Sequence, residues 1–195
     1  LYFSENNASS IMKNTNSKNH VPISKSQKEM VERFIRVDHA GEFGAKRIYE
    51  GQLAILGKTA DGDTIRHMKE QEQVHLTKFE NLIVERQVRP TILYPIWNIA
   101  GFALGVGSAL MGPKAAMACT VAVEEVIDEH YAEQSSALDN EEKDLKDTID
   151  KFRQEELEHR DTAIEHGGEE AIGYPVMRKA IRTGSKLAIW LSERF

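Results

Sequence analysis

The chain has one cysteine in 195 residues, Cys119. A disulfide within the chain, a cysteine zinc cage and a cysteine-ligated iron centre are all excluded, and the pattern suits a reducing compartment. Cys119 lies in the apolar run from Ala115 to Val123 and is expected to be core packing. Aromatic residues are scarce at 7 %, and runs rich in Val, Ile and Thr between turn signals are few. That favours helices over sheets. A basic surface is missing as well. With a net charge of −6, the chain lacks the cationic face that displaces counterions from nucleic acid, so no nucleic-acid partner is expected. No secretory signal is visible, and residues 1–25, rich in Asn, Ser and Lys but free of Arg, read as a disordered tail. Leu1–Ser4 are set aside, their origin left open. What is present, 41 % hydrophobic and 29 % charged, is ordinary globular composition, enough for one domain over residues 26–195.

Four long segments carry a helical period. The first runs from about Ser26 to Leu56, with Val31, Phe34, Ile35, Ile48 and Leu53 among its apolar positions. Gly41, Gly44 and Gly51 interrupt it, each costing roughly 0.5–1 kcal/mol against alanine, which points to close approach by a neighbouring helix or a ligand. The second spans about Asp63 to Val88, with an Asp of Asp61-Gly62-Asp63 as its cap. The third starts near Pro113 and reaches about Leu138. The fourth runs from about Glu141, capped by Asn140, to His166 and stops at Gly167-Gly168.

Chemistry enters through a repeated pattern. Glu72-Gln-Val-His75 sets a carboxylate and an imidazole at i and i+3 on one helical face, and Glu156-Leu-Glu-His159 repeats the arrangement. Glu42 lies 30 residues before Glu72, and Glu124 lies 32 before Glu156. One Glu-x-x-His arises readily by chance on a charged helix. Two copies, each led by a glutamate at near-equal spacing, form the ligand set of ferritin-like di-iron bundles. The grouping suits two Fe²⁺ ions: four carboxylates neutralise four positive charges, two imidazoles supply one nitrogen to each metal, and open positions remain for O₂. Buried without metal, those carboxylates would be prohibitively costly. Glu124 is preferred to Glu125 because Met117, Val121, Glu124, Ile127 and Tyr131 share one stripe. Asp128 lies near that stripe, and reads equally as a partner for a ligand histidine or as an ordinary surface residue.

Two elements fall outside the four-helix pattern. Thr91–Pro113 contains no charge and is long enough to span a bilayer. Spanning would put the two halves of one metal site on opposite sides of a membrane, so the segment must lie along the bundle or dip into one leaflet; Tyr94 and Trp97 suit interfacial depth. A buried crossover is the plainer alternative. Residues 175–195 read as an amphipathic fifth helix, with Arg178, Lys179, Arg182 and Lys186 suited either to anionic headgroups or to packing on the bundle. The expected fold is thus all-α: a ferritin-like four-helix bundle with an uncharged crossover over 91–113 and an additional C-terminal helix.

Longer stretches carry a resemblance. Arg36-Val-Asp-His-Ala-Gly-Glu42, Gly101-Phe-Ala-Leu-Gly105, Ala118-Cys-Thr-Val-Ala-Val-Glu-Glu125, Glu155-Glu-Leu-Glu-His159 and Ala188-Ile-Trp-Leu-Ser-Glu-Arg194 resemble the demethoxyubiquinone hydroxylase family, over about Gln27 to Phe195. The resemblance implies two iron ions on Glu42, Glu72, His75, Glu124, Glu156 and His159, and a catalytic His-Tyr pair at His130 and Tyr131. It implies hydroxylation of a polyprenyl methoxy-methyl-benzoquinol with O₂, and NADH as electron source. It further implies peripheral attachment to the matrix side of the inner mitochondrial membrane, or to the bacterial cytoplasmic face. In a eukaryote a lipid-binding partner protein of the ubiquinone assembly is expected, and a homo-oligomer is left open.

Overall fold

The computed structural model describes residues 25–195, so the expected N-terminal tail lies outside the described residues except for Lys25, which opens the first helix. Six α-helices follow, with no strand among the described residues: α1 Lys25–Leu56, α2 Gly62–Glu85, α3 Tyr94–Leu110, α4 Pro113–Ala137, α5 Lys143–Glu165 and α6 Tyr174–Ser192. Helices α1 and α2 form one hairpin and α4 and α5 the other, joined through α3. The segment read as an uncharged crossover is therefore mostly helical.

The ends of these helices show where short-range reading falls short. Asp61 precedes α2 but makes no side-chain cap; its carboxylate accepts from His166 Nδ1 at 2.8 Å, tying the α1–α2 turn to the end of α5. Helix α2 stops short of the expected Val88 because Gln87 adopts a positive φ of 54°. The cap before α5 is Asp139 rather than Asn140: Asp139 accepts from the Glu141 backbone N–H at 2.9 Å, and a 3₁₀ turn over Asn140–Glu142 precedes the helix. Gly167, at φ 80°, ends the α5 region in the left-handed conformation expected of a C-terminal glycine.

Two apolar clusters bracket the middle of the bundle. Val31, Ile35, Phe79, Leu82, Ile149 and Phe152 fill one end, and Tyr49, Ile65, Met68, Met117 and Val121 the other. Each large side chain buried there is worth about 1.5–3 kcal/mol. Between the clusters lies a layer of buried carboxylates and imidazoles, held in place by packing above and below. Cys119 is fully buried as expected, and burial pushes its thiol up to about 12.

Helix α3 crosses α1 with backbone nearly touching backbone. A Cβ on Gly105 would sit 2.0 Å from the Ile48 carbonyl oxygen, and one on Gly51 would sit 2.3 Å from that of Phe102. Of the three glycines in α1, Gly51 thus serves a helix contact. Gly41 and Gly44 have open space where a side chain would stand. Helix α6 lies on α4, and of the two uses left open for its basic face, packing on the bundle is the one its ion pairs show. Arg178 and Arg182 pair with Glu125, Arg182 and Lys186 with Glu129. Those cations serve packing on the bundle.

Candidate metal centre

Helices α1, α2, α4 and α5 each deliver glutamate or histidine to the central layer. Glu42, Glu72, His75 and Glu156 place ligand atoms within 4.8 Å of one another, and Glu72, Glu124, Glu156 and His159 do the same. All six are at least 98 % buried as side chains or residues. The two groups share Glu72 and Glu156, so these two carboxylates stand between two positions, one flanked by Glu42 and His75 and the other by Glu124 and His159. The structure brings together all six residues singled out in the sequence. Glu125 points away to Arg178 and Arg182.

The electrostatics of this layer call for cations. Glu42 Oε2, both oxygens of Glu72, His75 Nδ1, Glu124 Oε2 and Glu156 Oε1 are buried with no hydrogen-bond partner among the described residues. Burial, then repulsion from Glu156, raises Glu72 and Glu124 well above the usual carboxylate range. Burial opposes charge on His75, but the carboxylates of Glu156 and Glu42 outweigh it and push the imidazole up to about 12. His159 is raised against the same burial by Glu156. Unpartnered hard oxygens and an imidazole nitrogen, grouped about two adjacent positions, fit a pair of first-row divalent ions.

Behind the six stands a set of side chains of which the sequence reading singled out only Tyr131. Tyr49 of α1 donates to Glu124 Oε1 of α4 at 2.7 Å, and Tyr131 of α4 donates to Glu42 of α1. Gln71 Oε1 of α2 lies 3.0 Å from His159 Nε2 of α5. In return, Glu155 Oε2 of α5 lies 2.7 Å from His75 Nε2 of α2. The exchanges are reciprocal. Each tyrosine comes seven residues after a ligand glutamate of its own helix, and Gln71 and Glu155 each immediately precede the first residue of a Glu-x-x-His. Position i+7 shares a face with i, and the doubled motif extended by one residue would have flagged the other pair. Burial keeps both tyrosines protonated well above their ordinary range, so both remain donors.

Asp128, one reading of which made it a histidine partner, binds Arg153 Nε at 2.6 Å instead. His130 is not in the layer but beside it. Gln134 Nε2 reaches both His130 Nε2 at 2.8 Å and buried Asp38 Oδ1 at 2.7 Å. His130, Tyr131, Asp38 and Glu42 form one end of an apolar cavity of about 450 Å³ enclosed by α1, α3, α4 and α6. Small residues, Gly41, Gly44, Ala45, Gly101 and Ala188 among them, give it smooth walls. Exposed lining residues Ala100 on α3 and Gly184 on α6 mark its mouth. The gap is closed at one end by Trp97 Nε1 donating to Ser192 Oγ at 3.0 Å and by the Ile92 backbone N–H bonding Phe195 O at 2.8 Å.

Outside that mouth, Ile92, Ile96, Ile99, Leu110 and Met111 flank or belong to α3 and are exposed, as are Val176, Leu187 and Trp190 on α6. No helix of the described residues is long and apolar enough to cross a membrane.

Comparison with known proteins gives one answer. Residues 29–192 match the family described as ubiquinone biosynthesis protein COQ7. The chain is 54 % identical over 192 residues to a relative from Dictyostelium discoideum named NADPH-dependent 3-demethoxyubiquinone 3-hydroxylase, mitochondrial, covering 97 % of this chain and 88 % of that one. It is 53 % identical over 179 residues to the 3-demethoxyubiquinol 3-hydroxylase of Rhodospirillum rubrum, with 91 % and 84 % covered. The 5-demethoxyubiquinone hydroxylase, mitochondrial, of Saccharomyces cerevisiae is 41 % identical over 203 residues, with 93 % and 87 % covered.

Proposed function

The chain belongs to the family of ubiquinone biosynthesis protein COQ7, and from that premise we propose that Glu42, Glu72, His75, Glu124, Glu156 and His159 hold two iron ions with which it hydroxylates the ring of demethoxyubiquinol. It is a hydroxylase of ubiquinone biosynthesis. The observation that carries the two-iron reading is the pair of ligand groups sharing Glu72 and Glu156. When bound, the irons supply O₂ activation and the electrons for it. The polypeptide does the rest.

Glu72 and Glu156, which belong to both ligand groups, would help to hold either ion, while Tyr49 and Tyr131 each fix the orientation of a carboxylate that belongs to one group only. The quinol head is expected in the cavity against His130 and Glu42, with its polyprenyl tail leaving between α3 and α6. Apolar walls exclude water from the ring and accept the tail at about 25 cal/mol per Å² buried. His130 is held by Gln134 so that its ring faces the cavity. The electron source is a nicotinamide nucleotide. The resemblance suggests NADH, whereas the names of several relatives carry NADPH. The exposed apolar faces of α3 and α6 suit peripheral attachment at the inner mitochondrial membrane or its bacterial counterpart. A lipid-binding partner protein would meet that same surface.

Single turnover with Fe²⁺, labelled O₂ and a short-tailed demethoxy-quinol analogue tests the reading. Wild type should place one labelled oxygen on the ring, and Glu124→Ala should abolish it. Oxygen arriving from water would overturn the proposal.

A further inference from the structure

The two metal positions repeat one another closely. Each has a glutamate from one helix, a Glu-x-x-His from another, a tyrosine seven residues beyond the first glutamate, and a hydrogen-bonded orienting group preceding the second. In both histidines Nδ1 faces the layer and Nε2 faces outward to that orienting group. The repeat breaks in charge at one place. His75 is held from behind by a carboxylate, Glu155, and His159 by a neutral amide, Gln71.

We infer that Glu155 and Gln71 are positioning residues that make the two positions unequal, so that a divalent cation fills the Glu42–His75 position first and more tightly. This rests on the two-metal reading above. A carboxylate accepting the outer N–H leaves more negative charge on the inner nitrogen than an amide does, and the bond is shorter, 2.7 against 3.0 Å. Loss of such an outer partner ordinarily costs about 10–100-fold in metal affinity. Lys151, 3.5 Å from the far oxygen of Glu155, leaves the oxygen facing His75 uncontested. Phe152 stacks on His75 with ring centroids 4.0 Å apart, which fixes the ring plane that the Glu155 bond requires. The favoured position is also the one the cavity reaches, because Glu42 lines the cavity and Glu124 does not. The cation nearest the substrate is thereby the one with the more electron-donating histidine.

Anaerobic titration with Co²⁺, followed by calorimetry and by the d–d absorbance of the bound ion, reads the two steps separately. Wild type should bind two Co²⁺ in steps separated by at least about tenfold. Glu155→Gln should weaken the first step by about 10–100-fold and close the gap. Gln71→Glu should strengthen the second and close it from the other side. The exchanged pair Glu155→Gln/Gln71→Glu should reopen it, a rescue that a merely structural role would not give. Both residues are only half-buried, so folding should persist, and Gln71→Glu carries the test alone if Glu155→Gln does not fold. Two equal steps in wild type, or a gap unmoved by both single changes, would overturn the inference while leaving the metal centre standing. No uptake by wild type would remove both.

Discussion

At the residue scale, the central layer is a competition between protons and metal. Glu72, Glu124 and His159 are raised, and His75 is raised to about 12. Burial and neighbouring carboxylates therefore hold all four toward their protonated forms when the layer is metal-free. Metal binding works against that bias, so adding Fe²⁺ or Co²⁺ without O₂ should release protons, measurable in weakly buffered solution. The sign follows: acid favours the protonated layer, and affinity should fall as pH is lowered from 8 to 6. Affinity independent of pH would mean that these groups are not the ligands. The six candidate ligands were legible in the sequence because a doubled Glu-x-x-His with leading glutamates is hard to produce by accident. Tyr49, Gln71 and Glu155 were not, since a lone tyrosine or a residue beside a motif has no chemistry until a fold brings its partner across.

At the element scale, α3 decides whether a cavity exists at all. Its contact with α1 runs through Gly51, Gly101 and Gly105, where added side chains would strike backbone. Gly105→Val should force the helices apart, costing about 1–3 kcal/mol and lowering Tm by several degrees. Gly107→Ala is the matched control: nothing lies within 4 Å of its Cβ, so it should be neutral or stabilising by about 0.4–1 kcal/mol. Equal effects of the two would show that close packing here is unimportant. Bundle helices and their order could be read from the apolar period, whereas the side-chain caps read at Asp61 and Asn140 were not those the structure has. The helix in Thr91–Pro113 could not be placed, because glycines that weaken a helix locally are those that let it sit tightly on another. The cations of α6 stayed open between two uses for a similar reason: a basic stripe cannot be assigned until the acidic stripe of α4 lies opposite.

At the scale of the whole molecule, the carboxylate layer, the cavity and the exposed apolar faces adjoin one another, which is the path the proposed lipid substrate would take. Since Arg178, Arg182 and Lys186 are already paired, attachment should depend on apolar contact more than on lipid charge. Co-sedimentation with vesicles should change little between neutral and anionic phospholipid, and Ile96→Asp/Ile99→Asp should bind at least about tenfold more weakly. Dependence on anionic lipid alone would assign attachment to other residues. The path matters only if its inner end holds two metals. The most direct test is anomalous diffraction at the iron edge from crystals loaded with Fe²⁺ under nitrogen. Two peaks bridged by Glu72 and Glu156, with Glu42 and His75 on one and Glu124 and His159 on the other, are predicted. A single peak, or iron bound elsewhere with these six side chains unligated, would contradict the account.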